Sequence, residues 1–231
     1  MKMIRGVFFD VDDTLFDRAL AQRKALRLIV ERYSELFEGI DEEWALSAFL
    51  ASDRISNDEY EAGLPGKEIR NRRTEIFLDL LRISRHRTKE ITDLYVNEYP
   101  RLNAPVSGAK ELILNLAPKY TLGVISNGLP DVQYKKLEAL GVYSKFECIV
   151  LSEVLGIAKP DPQIFHHALS LLSMSPNEVL YVGDSFENDV MGAVGIGMQV
   201  CWFNPTGIKP EHPDIYPTYE IKELSMVECL F

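Results

Sequence analysis

The sequence predicts an α/β protein whose core is a doubly wound, Rossmann-like parallel sheet, interrupted near its start by an inserted α-helical cap. Three observations predict it. The apolar run Val7-Phe8-Phe9 is continuous rather than alternating, the pattern of a strand buried on both faces. Residues 17–99 show only helical periodicity. After residue 103, strand-like and helix-like segments alternate to the C-terminus, as the βα units of a parallel sheet do.

The first strand is expected over residues 4–10, which puts Asp10 at its carboxyl end. In the helical stretch Leu26, Ile29, Val30, Tyr33 and Phe37 fall on one face, as do Ile76, Leu80 and Ile83, and then Ile91, Leu94 and Tyr95. Breaks at Glu38-Gly39, at Ala62-Gly63-Leu64-Pro65-Gly66 and at Ser84-Arg85 divide this stretch into several helices. The expected division is therefore an α/β core of residues 1–16 and 104–231, with the cap over 17–103. Pro100 and segment 103–108 read as the return linker into a helix over 109–116. Further strands are expected at 121–126, 146–151, 179–183 and 199–203, with helices near 131–139, 163–172, 188–195 and 221–230. In such sheets ligands bind beyond the carboxyl ends of the strands. Asp10, Ser126 and Asp184 each end an apolar strand, so the fold is expected to bring three distant segments to one rim.

The chain has 231 residues, 46% of them hydrophobic, which is ample for a buried core. A formal net charge of −10 argues against a polyanion-binding surface, because nucleic-acid affinity comes largely from Lys and Arg neutralising phosphates. No apolar stretch approaches the roughly 18 residues that a membrane span needs, and no signal-peptide pattern is present, so the expected setting is the cytoplasm with no membrane partner. Cys148, Cys201 and Cys229 are widely spaced without a C-x-x-C pair, and read as small buried apolar residues rather than a zinc site or disulfide framework. The basic residues Lys67, Arg70, Arg72, Arg73, Arg82, Arg85, Arg87 and Lys89 alternate with acids and read as a solvated cap face, while Trp44, Phe49 and Tyr60 read as cap packing. His166 and His167 read as residues of a helix surface or its packing.

Four segments look like parts of one site: Asp10-Val11-Asp12-Asp13-Thr14, Ser126-Asn127-Gly128, Lys159-Pro160-Asp161-Pro162, and Gly183-Asp184 followed by Asp189. Acids gathered at an apolar strand end repel, by roughly 4 kcal/mol for two unit charges about 4 Å apart at an effective dielectric of about 20. A hard cation with oxygen ligands is the natural neutraliser, and Mg2+ suits it best. Lys159 offers a point charge to a phosphate and to Asp10. The Ser126 hydroxyl and the adjacent amide N–H groups offer donors to the same group.

In these segments and their order the chain resembles the haloacid dehalogenase-like hydrolase superfamily, in its phosphatase branch, from Ile4 to about Phe203. The resemblance implies that Asp10 is a nucleophile that becomes an aspartyl-phosphate, that Asp12 is the general acid–base, and that Thr14 braces their loop. It further implies phosphate binding by Ser126, Asn127 and Lys159. The Mg2+ site it implies comprises Asp10, Asp12 through its backbone carbonyl, Asp184 and Asp189, the last set behind the direct ligands. The expected activity is Mg2+-dependent hydrolysis of a small phosphorylated metabolite by a monomer or dimer. The motif wording looks most like archaeal-type phosphatases acting on glyceraldehyde 3-phosphate. A phosphomutase of the β-phosphoglucomutase type would use the same nucleophile and acid, and 5′-nucleotidases share the plan, whereas 2-haloacid dehalogenases have no need of Asp12. The cap turn Gly63-Leu64-Pro65-Gly66, flanked by Tyr60, Lys67 and Arg70, is expected to set selectivity.

Overall fold

The computed structural model describes residues 3–210 and 212–230, and the side chains of Glu61 and Lys67 lie outside that description. In chain order the elements begin with β1 (Gly6–Phe9), α1 (Arg18–Arg32), α2 (Glu42–Glu61), α3 (Gly66–Leu80) and α4 (Thr88–Glu98). They continue with α5 (Ala109–Leu116), β2 (Thr121–Ser126), α6 (Pro130–Ala139), β3 (Cys148–Leu151), α7 (Ser152–Leu155) and α8 (Pro162–Leu171). The last are β4 (Val179–Gly183), α9 (Gly192–Gly195), β5 (Gln199–Phe203) and β6 (Tyr219–Ile221). The chain divides into two compact units, Met1–Arg18 with Asn103–Phe231, and Ala19–Leu102.

In the first unit the described strands form one parallel sheet in the order β3-β2-β1-β4-β5-β6. The central position of β1 explains its unbroken apolar run, since Val7, Phe8 and Phe9 are wholly buried with neighbours on both edges and on both faces. Phe9 pairs with Val124 of β2 and Val182 of β4, so the residues that follow β1 and β4 leave the sheet side by side. The Asp10 N–H still donates to the Val182 carbonyl at 3.0 Å, which carries strand pairing one residue past β1 and ties down the start of the next loop. One face is covered by α8, whose Ile164, Phe165 and Ala168 join Phe8, Ile125 and Tyr181 in a buried cluster. The Phe165 and Tyr181 rings meet edge to face, 5.4 Å between centroids.

The regular elements of the unit Ala19–Leu102 are all helices, with no strand among its described residues. Asp41 starts α2 by accepting the N–H groups of Glu43 and Trp44 at 2.9 and 3.0 Å, which satisfies two of the donors a helix start leaves open. Its core is aromatic: Phe49 packs on Phe77 and Tyr95, and Phe77 stacks on Phe37. Among the described residues no helix is long and apolar enough to cross a membrane.

Several expectations need correction. Segment 221–230 is not an α-helix: Tyr219–Ile221 forms β6, and Leu224–Leu230 is a 3₁₀ helix. The free edge of β5 decides this by pairing Phe203 with Ile221, a partner that local periodicity does not reveal. Segment 188–195 opens as a π-helical turn, Phe186–Met191, and only then enters the short α9. Its start is capped by Ser185, whose hydroxyl accepts the Asn188 N–H at 3.1 Å. Trp44 is 47% exposed rather than packed inside the cap. Arg73 is not on a solvated face: its guanidinium lies 3.6 Å from the Tyr95 ring centroid and pairs with Asp53 at 3.7 Å. Cys148 and Cys201 are buried, and burial pushes their thiols up to about 11 and about 12. Cys229, in the 3₁₀ segment, is exposed instead.

Candidate active site

The site is built around one buried ammonium. Lys159 reaches from the loop before α8, and its Nζ donates to Asp10 Oδ1 at 2.6 Å, to Asp189 Oδ1 at 2.7 Å and to the Tyr181 hydroxyl oxygen at 3.1 Å. Its side chain is only 3% exposed, so all three donor positions are used inside the protein. The Tyr181 O–H in turn lies within reach of Asp189 Oδ1 at 3.0 Å and the Ile125 carbonyl at 3.2 Å. Asp189 Oδ2 accepts the Ser185 N–H at 3.0 Å, which fastens the π-helical turn to its own start. Gly183 makes room for this arrangement, since a Cβ there would stand 2.4 Å from Asp189 Cγ.

After Asp10 the chain turns sharply, with Asp13 in the left-handed region (φ 59°) and its carboxylate accepting the Arg18 N–H at 3.0 Å. The turn carries Thr14 to Asp184, where its hydroxyl donates to Oδ1 at 3.2 Å. The Trp202 indole N–H donates to the Asp184 backbone carbonyl at 2.8 Å, which steadies the end of β4 from β5. Asp12 turns its carboxylate to α6, where Gln133 Nε2 donates to it at 2.6 Å and Lys136 also donates. It is therefore separate from the acidic cluster formed by Asp10, Asp184 and Asp189, whose nearest carboxylate oxygens lie within 4.8 Å of one another.

Ser126 ends β2 and is 1% exposed, with its hydroxyl accepting the Gly128 N–H at 3.1 Å. The Asn127 side chain is committed to the lysine loop. Its Oδ1 accepts the Lys159 N–H at 2.8 Å and its Nδ2 donates to the Lys159 carbonyl at 3.0 Å, a two-point clasp that holds the lysine loop against β2. Tyr60 lies in α2 and Arg70 in α3, both half-buried in the helical unit, while the side chain of Lys67 lies outside the described residues.

Charge balance is the dominant feature of the cluster. Burial pushes the Asp10 carboxyl up to about 7 despite the pull of Lys159. Burial, reinforced by the charges of Asp10 and Asp189, pushes Asp184 up to about 8. Burial opposes the Lys159 ammonium, but Asp10 and Asp189 outweigh it and hold the group firmly protonated. Burial also works against an ionised Asp12, yet Lys136 and Arg18 outweigh it and hold that carboxyl below its usual range. One ammonium among three carboxylates leaves the pocket short of positive charge. A hard divalent cation on oxygen donors fits that deficit.

Residues 4–197 match the family model of the haloacid dehalogenase-like hydrolases. The chain belongs to that family. HAD-hydrolase YfnB of Bacillus subtilis is 30% identical, with 97% of this chain and 94% of that protein aligned. The magnesium-bound crystal structure of YfnB matches with a TM-score of 0.83 at 27% identity, covering 99% of each chain. Glyceraldehyde 3-phosphate phosphatase of Methanothermobacter thermautotrophicus is 30% identical, over 87% of this chain and 86% of its own. The structure of a 2-haloacid dehalogenase of Pseudomonas syringae matches with a TM-score of 0.65 at 26% identity, covering 98% of this chain and 97% of that one. In this haloacid dehalogenase-like hydrolase, sequence reasoning overlooked Tyr181, Gln133, Lys136 and Trp202. A tyrosine inside an otherwise apolar buried strand is the one signal available for Tyr181, because a buried hydroxyl needs a partner. Gln133 and Lys136, three apart on a helix that starts at the same rim, carry a weaker one.

Proposed function

We propose that this hydrolase is a Mg2+-dependent phosphatase acting on a small phosphate monoester through an aspartyl-phosphate. The observation that carries the reading is the convergence of Asp10, Asp184 and Asp189 around the Lys159 ammonium, with a second, separately held carboxylate at Asp12. Asp10 supplies the attacking oxygen: its bond to phosphorus forms as the ester P–O bond breaks, and the leaving alkoxide takes a proton from Asp12, which Lys136 and Arg18 hold ionised at rest and which therefore first takes that proton from the monoanionic phosphate ester. Water then attacks phosphorus and gives its proton to Asp12, the Asp10–phosphorus bond breaks, and inorganic phosphate leaves. Lys159 lies against Asp10, where it neutralises charge on the transferring group. Ser126 and the backbone amides after β2 provide further donors to that group, with Asn127 acting through its clasp on Lys159.

Asp10, Asp184 and the Asp12 carbonyl are the residues proposed to hold Mg2+, with Asp189 behind them and Thr14 bracing Asp184. A bound Mg2+ adds charge stabilisation of the phosphoryl oxygens. Tyr60, Lys67 and Arg70 are proposed to bias selectivity. The proposed substrate class is a small phosphorylated metabolite such as glyceraldehyde 3-phosphate, in keeping with the M. thermautotrophicus relative. Dehalogenation is the weaker reading, since a halide departs as an anion and needs no proton from the proposed acid Asp12.

The test is phosphate release from a panel of phosphorylated metabolites with Mg2+, run beside halide release from 2-haloacids and transfer to a sugar phosphate. Hydrolysis of small phosphate esters is the expected result. Halide release without phosphatase activity, or transfer to sugar in preference to water, would sink the proposal.

A further inference from the structure

Asp12 is gripped by two side chains that its own loop does not supply. Gln133 Nε2 donates to Oδ2 at 2.6 Å and Lys136 Nζ donates to Oδ1, so both carboxylate oxygens are engaged. The two donors stand three residues apart on α6, which places both on one face of that helix. They are only 1% and 2% exposed, a depth at which lysine and glutamine are rare without a task or a partner. The Lys136 ammonium also lies 4.9 Å from the centroid of the Phe16 ring, which steadies it from a third direction. Gly128 leaves the passage: a Cβ at that position would stand 1.7 Å from Gln133 Nε2. Gln133 Oε1 is buried without a hydrogen-bond partner, so the amide is oriented by Asp12 at the expense of its other end.

We propose that Gln133 and Lys136 are positioning residues that fix the Asp12 carboxylate in the one rotamer from which it exchanges protons with the leaving oxygen and the attacking water. The inference rests on the phosphatase reading above. An unrestrained aspartate samples several rotamers, whereas two charge-assisted bonds select one. Each carboxylate oxygen keeps a second lone-pair position, so the grip does not exhaust the capacity of Asp12 to accept a proton. Forming the aspartyl-phosphate from an alkyl ester needs a proton from Asp12 on the departing alkoxide. An aryl ester with a stable phenolate needs none at that step, but hydrolysis of the aspartyl-phosphate needs Asp12 as base in both cases. Loss of the grip should therefore slow both steps with an alkyl ester and only the second with an aryl ester.

The experiment compares Lys136→Met and Gln133→Met with the unaltered protein in Mg2+, using glycerol 3-phosphate and 4-nitrophenyl phosphate, with circular dichroism to verify folding. Expected are steady-state losses of about a hundredfold on both esters, and a pre-steady-state burst of nitrophenolate that rises toward one equivalent per site in the variants. Glycerol 3-phosphate should show a slowed first turnover and less accumulated phosphoenzyme than the aryl ester. Equal slowing of the first step on the two esters, or unaltered kinetics in whichever variant folds, overturns the positioning role and leaves the phosphatase reading intact. Failure of the unaltered protein to hydrolyse either ester overturns the phosphatase reading, and the inference with it.

Discussion

At the scale of single residues, the arrangement turns on how many partners share one ammonium. Lys159 serves Asp10, Asp189 and Tyr181 at once, so each substitution around it has its own signature. Asp10→Asn removes the proposed attacking oxygen while keeping size and a hydrogen-bonding end; turnover should vanish with the fold intact, and activity within about tenfold of wild type would exclude a covalent role. Lys159→Met should lower kcat by about two to three orders of magnitude, the loss typical of one preorganised donor. Tyr181→Phe deletes only the hydroxyl that meets Asp189, Lys159 and the Ile125 carbonyl. It should cost about 1 kcal/mol, read as a fall in Tm of about 2–4 °C for a chain of this size. An unchanged Tm would show that the hydroxyl contributes nothing beyond the ring.

At the scale of elements, β4 and the π-helical turn after it act as one piece, because Asp189 folds back over Gly183 to the Ser185 N–H and to Lys159. Gly183→Ala puts a methyl group where the Asp189 carboxylate lies, so urea unfolding should show a loss of about 1–3 kcal/mol, as overpacking of a well-filled site does. A neutral result would mean that the turn has slack that the observed packing does not show. In the helical unit the testable element is the turn between α2 and α3. Changing Tyr60, Lys67 or Arg70 should reorder kcat/KM among small phosphates and leave 4-nitrophenyl phosphate hydrolysis nearly untouched. Variants that preserve the wild-type ranking would assign this turn a purely connecting role.

At the scale of the whole molecule, the buried cluster couples metal, protons and stability. In the metal-free protein burial pushes the carboxyls of Asp10 and Asp184 up to about 7 and about 8, above the roughly 3.9 of an unfolded chain. Between about pH 4 and pH 8 the folded state therefore binds more protons than the unfolded one, and the stability this linkage contributes is lost as pH rises through the folded values. A cation that binds these carboxylates must displace those protons, so its stabilising effect should grow with pH. Melting in chelator should show Tm falling from about pH 5 to pH 8, and the rise in Tm on adding Mg2+ should be larger at about pH 8 than at pH 5.5. A Mg2+ effect that shrinks with rising pH would contradict the proposed ligands. Exhaustive chelation should also abolish phosphate release.

The boundaries of β2, β4 and β5 follow from sequence because the signal is local: an apolar run long enough to cross a sheet, stopped by residues that favour turns. The same signal locates Asp10, Ser126 and Asp184 at strand ends, and parallel pairing then carries them to one edge without further information. Other features depend on which strand lies beside which. Whether Ile221 continues a helix or pairs with Phe203 depends on a free edge at β5, and the clasp of the Asn127 side chain on Lys159 depends on how the lysine loop crosses β2. Likewise Gln133 and Lys136 look like ordinary residues of a helix surface until α6 is set against the loop after β1, which buries both and turns them to Asp12. A strand or helix is specified by neighbours a few residues away. A buried polar contact is specified by the desolvation that makes a partner obligatory, and that partner is chosen only when distant segments have packed.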